Sequence, residues 1–271
     1  MMRALYTAAS GMKAEQTNVD TISNNLSNVN TTGFKANRVE FKSLLYQTIQ
    51  AETTTANGET KPVGAQVGLG TRVAATTSMY TQGSMLESES DTDFCIEGDG
   101  FFALRSINGD TVYTRNGNFT WALDANGNTI LTNSSGWPVL DTEGNVIQVP
   151  EGISAEAMTF QQSGEIGYTT TEGYTSLDQY FAVYQFTNPA GLEKLDSSNL
   201  QATDASGEAI LEGTNATMST SKIHQGYLEG SNVSVADEMV NLIIAQRAYE
   251  LNSKAITTAD SMLDTANNLK R

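Results

Sequence analysis

This sequence has little of the chemistry on which most enzymes and metal proteins depend. Its 271 residues include one cysteine, Cys95, and one histidine, His224. A single cysteine excludes an internal disulfide framework, and one histidine leaves little for a zinc site or a histidine-based triad. No apolar run approaches the roughly 18 residues of a membrane helix, and no compact apolar stretch precedes a small-residue cleavage site. We predict no enzyme activity, no metal, no cofactor, no membrane insertion and no cleaved signal peptide.

Positive charge is scarce in the middle of the chain. Residues 81–212 hold 20 Asp and Glu against 3 Lys and Arg, whereas residues 1–80 hold 5 against 7 and residues 213–271 hold 6 against 5. Nearly all of the net charge of −16 therefore lies in the middle. An acidic surface of this kind disfavours nucleic acid as a partner. The two nearly neutral ends can approach copies of themselves without much repulsion.

Proline is absent from the first thirty residues, where apolar positions recur at helical spacing. These positions form a heptad-like seam interrupted only by Glu15: Leu5, Ala8, Met12, Val19, Ile22, Leu26 and Val29. We predict one amphipathic helix that ends between Val29 and Gly33. Such a helix is marginal in water unless another element buries its apolar stripe, so its partner is expected elsewhere in the chain.

The end of the chain supplies a matching helix, predicted to run from Val235 to Leu269. Ser234 stands at its N-cap, with Asp237 three residues later. Its seam contains Val235, Leu242, Tyr249, Ile256 and Leu263, which alternate with mostly small residues. The two terminal helices could close a single monomer as a hairpin, or their seams could also pack between subunits. The nearly neutral ends favour packing between subunits.

Short alternating segments with Asn, Asp and Gly turns fill residues 71–210 and predict an antiparallel β region. A turn sequence recurs at 123–130, 140–147 and, less closely, 204–210, with a glycine where a left-handed backbone is cheap. Residues 34–49 fit either a strand or a short helix, and residues 50–70 read as an extended or flexible loop. Aromatic residues are expected to fill the β interior: Phe101, Phe102, Tyr113, Phe119, Trp121, Tyr180, Phe181, Tyr184 and Phe186.

Three local patterns invite a chemical interpretation, and each has a simpler one. Residues 97–102 suggest a phosphate loop but lack its lysine and helix, so we expect a turn that enters a buried strand. Residues 124–128 begin like a calcium loop but lack its later glycine and glutamate, so a hairpin turn is expected. Cys95 and His224 could be a nucleophile and a base, but no oxyanion element is visible. A small buried thiol is the simpler interpretation of Cys95.

Three segments resemble the signatures of the bacterial flagellar axial proteins, the rod and hook family. They are 24–35 (NNLSNVNTTGFK), 94–102 (FCIEGDGFF) and 226–250, which starts GYLEGSNV and ends QRAYE. The run at 44–49 and the polar stretch after it look most like the distal-rod members. Cys95 departs from the pattern, where a small residue such as Ala is expected. The residues that match the family pattern are Asn24, Asn25, Asn28, Thr31, Gly33, Phe34, Gly98, Gly100, Phe101, Gly226, Tyr227, Asn232, Arg247 and Tyr249.

The resemblance implies an α+β protein that works as a structural subunit of the distal rod. Its terminal helices (1–31 and 232–271) would pair as a coiled coil on the inner wall of a helical tube. Residues 32–80 and 213–231 would form a connecting segment, and 81–212 an acidic β-rich outer domain. The tube would transmit torque from motor to hook.

The resemblance also implies a location and partners. The location would be the basal-body rod in the cell envelope, reached without a cleaved signal. The partners would be further copies of the chain, proximal-rod and hook proteins, ring proteins acting as bushings, and the flagellar type III export apparatus. The alternatives are a proximal-rod or hook subunit of the same family, and a secreted adhesin-like β domain on a helical stalk.

Overall fold

The computed structural model describes residues 2–50, 64–124, 127–150, 152–170, 173–195, 198–213 and 219–269. The chain divides into two compact units. The first, here called the helical unit, comprises Met1–Ser27, Asn37–Ser78 and Ser234–Arg271. The second, here called the body, comprises Asn28–Ala36 and Met79–Val233. The expected α+β class, with a helix near each end and a β-rich middle, is confirmed.

The helical unit contains two helices and four strands. The helices are α1 (Met2–Ser27) and α2 (Val235–Asn268), and the strands are β1 (Asn37–Ser43), β2 (Tyr46–Gln50), β3 (Ala65–Gly68) and β4 (Thr71–Ser78). β1 pairs with β4, and this ribbon packs on α1. β2 pairs with β3 in a second ribbon. The Ser234 side chain caps α2 as expected, accepting the Asp237 amide at 3.5 Å.

Two expectations for this region need correction, and one open choice is resolved. α1 ends at Ser27, so Val29 lies beyond the helix, because Asn28 and Thr31 form a turn that redirects the chain. The open choice for residues 34–49 resolves as strand, in β1 and β2. Residues 65–68 are a strand rather than part of a loop, because their backbone pairs with β2. The rest of the expected loop, 51–63, lies outside the described residues.

The body contains fifteen strands within the described residues. They are β5 (Met85–Glu87), β6 (Phe94–Glu97), β7 (Phe101–Arg105), β8 (Thr111–Thr114), β9 (Phe119–Leu123), β10 (Thr129–Asn133), β11 (Met158–Phe160), β12 (Glu165–Thr170), β13 (Gly173–Tyr180), β14 (Val183–Gln185), β15 (Glu193–Lys194), β16 (Asn199–Gln201), β17 (Ile210–Leu211), β18 (Lys222–Gln225) and β19 (Tyr227–Glu229). Every strand pairing in the described residues is antiparallel. The largest sheet has the order β15-β16-β8-β7-β14-β17.

The core of the body lies on both faces of β7. Phe102 and Leu104 belong to one buried cluster with Phe94 and Phe119, whereas Phe101 and Ala103 belong to a second. Side chains alternate between the faces of a strand, so a run of four buried residues requires cover on both sides. A bend at residues 98 and 99 leads into the buried strand β7, which agrees with the simpler interpretation of residues 97–102.

The repeated turns also behave as the sequence predicts. Gly127, Gly144 and Gly207 all have positive φ, at +84°, +82° and +78°. Residues 125 and 126 of the first turn lie outside the described residues. Most of the predicted aromatic residues are buried or half-buried, but Tyr180 is 39% exposed. Tyr180 ends β13, an edge strand of a three-stranded sheet, so only one neighbouring strand covers it.

Candidate functional site

The two helices run antiparallel within the helical unit. Asn25 near the end of α1 lies opposite Glu238 near the start of α2, with 3.4 Å between Asn25 Nδ2 and Glu238 Oε1. Further along, Gly11 lies against Asn252, and a Cβ added at Gly11 would meet Asn252 Nδ2 at 2.8 Å. Small residues therefore allow the helices to approach closely. The buried apolar residues of the two helices are Ala8, Ala14, Ile22, Ala245 and Ala259.

The predicted seam residues differ in their exposure within a single chain. Ile22 is buried, and seven others are half-buried: Leu5, Met12, Val19, Leu26, Leu242, Ile256 and Leu263. Val235 and Tyr249 are 41% and 38% exposed, and Val29 belongs to the body. A role for these residues in packing between subunits stays a prediction.

A second set of apolar residues on α2 is exposed, and sequence periodicity did not single it out. Its members are between 53% and 68% exposed: Met239, Val240, Ile243, Ile244, Leu251 and Met262. Leu251 and Met262 line a groove of about 460 Å³ together with Ala4, Ala255 and Ala259. We call this set the exposed helix flank. Contiguous apolar surface that is left exposed is typical of interaction sites.

A buried ion-pair cluster lies in the body, and we call it the clasp. Glu229 at the end of β19 is in contact with two cations: Lys35 Nζ at 2.6 Å and Arg115 Nε at 2.8 Å. All three side chains are at most 4% exposed. Lys35 also donates to the Thr81 carbonyl at 2.8 Å, and Arg115 to the carbonyls of Gly98 and Gly100 at 2.7 and 2.6 Å. The clasp thus joins segments that lie far apart in sequence.

Burial and mutual attraction shift the pKa values of the clasp. Burial would raise the pKa of the Glu229 carboxyl, but the charge and hydrogen bonds of Arg115, followed by those of Lys35, outweigh burial and lower that pKa. Burial, followed by the charge of Arg115, lowers the pKa of the Lys35 ammonium despite its contact with Glu229. The carboxylate also accepts the Gly83 amide at 2.9 Å.

The family-motif residues beside the clasp have specific structural tasks. Gly33 has φ of +69°, and a Cβ there would lie 2.8 Å from the Asn116 backbone nitrogen. Its amide donates to the Glu229 carbonyl at 2.8 Å. Phe34 lies under the Lys194 ammonium, 5.9 Å from ring centroid to Nζ. A Cβ at Gly100 would collide with Val183. Glycine therefore fits Gly33, where another backbone segment comes close, and Gly100, where neighbouring side chains fill the space.

Two motif asparagines link separate backbone segments through their side-chain amides. Asn232 accepts the Ala36 amide at 2.7 Å and donates to the Met79 carbonyl at 2.8 Å. Asn25, 1% exposed on α1, bonds both backbone groups of Asn37, accepting its amide at 2.9 Å and donating to its carbonyl at 2.8 Å. An asparagine can imitate a strand neighbour because it carries both a donor and an acceptor.

Most of the remaining motif residues lie in surface or turn positions. Thr31 donates to the Asn28 side chain at 3.1 Å, and Asn24 is exposed on α1. Gly226 has φ of +74° before the partly exposed Tyr227. Arg247 is highly exposed and lies 3.6 Å from Glu250. Gly98 also has a positive φ, and Phe101 is buried. None of these placements alone assigns a function.

The candidate nucleophile lacks the environment that catalysis requires. Cys95 is fully buried, and burial, followed by the charge of Glu229, raises the pKa of its thiol to about 11. A reactive cysteine needs the opposite shift. His224 faces Glu97, with 2.9 Å between Nε2 and Oε2. In the described part of the chain, no group of three or more His, Cys, Asp or Glu residues could hold a metal ion. Within these residues neither α1 nor α2 is apolar enough to span a lipid bilayer.

Sequence reasoning missed the clasp. Lys35 and Glu229 lie within the segments that resemble the family, whereas Arg115 lies outside them. A signal was present, because residues 81–212 contain only three basic residues and Arg115 is one of them. A rare cation that directly precedes an Asn-Gly turn in an acidic domain is a candidate for a buried pair.

Comparison with known families and proteins accounts for both ends of the chain and for part of the body. Residues 5–35 match the model described as flagella basal body rod protein. Residues 95–168 match the flagellar hook protein FlgE/F/G D1 domain, and residues 224–269 the C-terminal part of the flagellar basal body rod FlgEFG proteins. These segments contain residues 24–35 and 226–250 and all but the first residue of 94–102, the three regions that carry the sequence resemblance.

Several relatives are similar over their full length. A flagellar basal-body rod protein FlgG of Borreliella burgdorferi is 47% identical over 100% of both chains. The proteins of the same description from Agrobacterium fabrum and Bacillus subtilis are 39% and 35% identical, over 99% and 100% of this chain and 100% of each relative. A solved Helicobacter pylori flagellar hook protein, FlgE2, is 13% identical and covers 62% of this chain and 47% of its own, with a TM-score of 0.24, too low to inform the fold. The chain therefore belongs to the flagellar basal-body rod protein family.

Proposed function

We propose that this chain is the distal-rod subunit of a bacterial flagellum and that it polymerises into a helical tube. The observation that carries the proposal is the exposed helix flank on α2. Six large apolar side chains there are more than half exposed although α1 already covers another face of the helix. Relatives described as basal-body rod proteins match the whole chain, which supports a structural rather than enzymatic role.

The proposed arrangement extends the helix pair into a wall. α1 and α2 form a two-stranded coiled coil on the inner wall of the tube, and their exposed flanks pack against the helices of neighbouring copies. Residues 32–80 and 213–231 form a connecting layer. The acidic residues 81–212 form the outer layer. An interface between unlike surfaces that does not close into a ring generates an open helical filament.

The rod role also implies partners and a location. The tube joins proximal-rod proteins at one end and hook proteins at the other, and it turns inside ring proteins in the periplasm. Its like-charged outer layer, with 20 acidic against 3 basic residues in 81–212, keeps it from adhering to other acidic surfaces. The subunit reaches its place through the flagellar type III export apparatus.

The competing function is that of another subunit type in the same family, a proximal-rod or hook subunit. A Bacillus subtilis relative described as flagellar hook-basal body complex protein FlhP is 32% identical over the full length of both chains. Another axial position therefore remains the alternative function. Labelling the chain in isolated hook-basal bodies distinguishes the two, because a distal-rod subunit is found between the proximal rod and the hook.

Deleting the gene that encodes this chain from its source cells tests the proposal. We expect loss of both the hook and the external filament, because neither can be built without the rod beneath it. Normal filaments in the deletion strain would contradict a rod role. Restoring the strain with a Cys95→Ala variant is the control for a catalytic role of Cys95 as a nucleophile, and we expect normal swimming from it.

A further inference from the structure

The clasp is assembled from three positions spread across the chain. Glu229 lies 194 residues after Lys35 and 114 residues after Arg115. The strands around Glu229 also complete the body, because β18 pairs with β6 and β19 pairs with β5. Ile223 of β18 is 3% exposed and belongs to the same buried cluster as Phe94 and Ile96. The body therefore receives its central anion and two partner strands from one late segment.

The physical cost of folding without that segment is high. Lys35 and Arg115 would be buried beside each other with no counter-ion, and an isolated buried charge is strongly unfavourable. The two side chains also donate hydrogen bonds to the carbonyls of Thr81, Gly98 and Gly100, but a carbonyl group carries no net charge and cannot neutralise a cation. The Gly83 amide would also lose its acceptor. The alternative to this cost is a body that stays open, with both cations in water.

We propose that residues 222–233 are a closing segment and that the body cannot adopt its final fold until this segment is present. When a chain emerges N-terminus first, during synthesis or any later passage, its body stays open while only residues up to 228 have emerged. It closes when Glu229 joins the two waiting cations. This inference concerns the folding of the body and does not depend on the proposed rod function. Its result is protection against premature closure of an incomplete chain.

Pulsed hydrogen exchange during refolding of the full chain from urea tests the order of events. We expect the amides of β6 and β7 to become protected in the same kinetic phase as those of β18 and β19. Protection of β6 and β7 in an earlier phase would overturn the proposal, because the body would then close without its last segment. Glu208→Gln is the control, because Glu208 is an exposed acid of the body outside β6 and the closing segment, and its loss should leave the order of protection unchanged.

A pair of substitutions tests whether charge compensation causes the effect. Glu229→Gln leaves two buried cations, and we expect it to lower the folded-to-unfolded ratio by on the order of 10²- to 10³-fold. Lys35→Met should lower this ratio in the native chain but raise it in the Glu229→Gln chain, because there it removes an uncompensated cation. If Lys35→Met is equally harmful in both backgrounds, charge compensation is excluded as the cause. The double variant keeps the test available if Glu229→Gln alone does not fold.

Discussion

At the scale of single residues, the clasp explains why particular residue types stand in the family motif. Gly33, Lys35 and Glu229 all meet where the start and the end of the body converge. Gly33 supplies backbone freedom, Lys35 a long cationic side chain and Glu229 a buried acceptor. Because these properties depend on one another, substitutions there are expected to cost more than their individual contacts suggest.

Replacing Gly33 by alanine separates backbone strain from collision. Gly136→Ala is the matched control, since Gly136 has φ of +78° with nothing within 4 Å of an added Cβ. The control should cost about 1–2 kcal/mol of the free energy of unfolding, from the left-handed backbone alone. Gly33→Ala should cost clearly more, because its Cβ would meet the Asn116 backbone. Urea unfolding measures both, and equal losses would show that the backbone yields.

The stability of the body should depend on pH through Glu229. Its folded-state pKa is lowered from the ordinary 4.5, so the unfolded chain binds more protons between the two pKa values and stability falls as pH falls through this window. At neutral pH we expect the free energy of unfolding of the Glu229→Gln variant to be about 3–5 kcal/mol lower than that of the native chain. Below the folded pKa the two stability curves should converge. A gap that stays constant in acid would contradict this origin of the stabilisation.

At the scale of elements, the helix pair is held by buried alanines, by buried Ile22 and by half-buried larger residues. Leu26→Asp and Ile256→Asp each place a carboxylate in this partly buried seam, where it lacks a partner. We expect either change to unfold the helices and block polymerisation while the aromatic core of the body stays folded. Circular dichroism and pelleting assays measure the two effects. Ser23→Asp and Ser261→Asp are exposed controls on the same helices, and losses as large from them would contradict the seam.

Much of this element structure could be predicted because its causes are local. Apolar residues at 3.6-residue spacing predict a helix that starts at Val235, as α2 does, and the recurring glycines predict turns with positive φ. The end of α1 at Ser27 could not be predicted to the residue, because Asn28, Asn30 and Gly33 all tolerate a helix end and the structure uses the turn between Asn28 and Thr31. β3 could not be predicted, because its strand form comes from pairing with β2. Arg115 was missed because local sequence does not show which cation is buried.

At the scale of the whole molecule, one chain carries two kinds of surface. The residues of the body bury their apolar side chains in two clusters with aromatic contacts, such as Phe102 against Phe119 at 5.3 Å between ring centroids. The helical unit instead leaves the exposed helix flank open. A single copy therefore has a buried apolar core in the body and an exposed apolar surface on α2. A subunit that polymerises needs such an exposed surface to contact its neighbours.

The exposed helix flank can be tested without disturbing the monomer. Ile244 is 61% exposed, so Ile244→Asp should leave the helix content and the unfolding curve of the single chain within about 0.5 kcal/mol of the native values. It should nevertheless prevent polymer formation, because the carboxylate would be buried between copies. Ser261→Asp, at an exposed polar position on α2, is the control that should still polymerise.

Electron microscopy of the purified polymer tests the central claim most directly. The account predicts a hollow helical tube in which α1 and α2 line the inner wall, Ile244 and Leu251 contact a neighbouring copy, and residues 81–212 lie outermost. A closed ring, an aggregate without helical order, or a tube in which the exposed helix flank faces solvent would contradict the account.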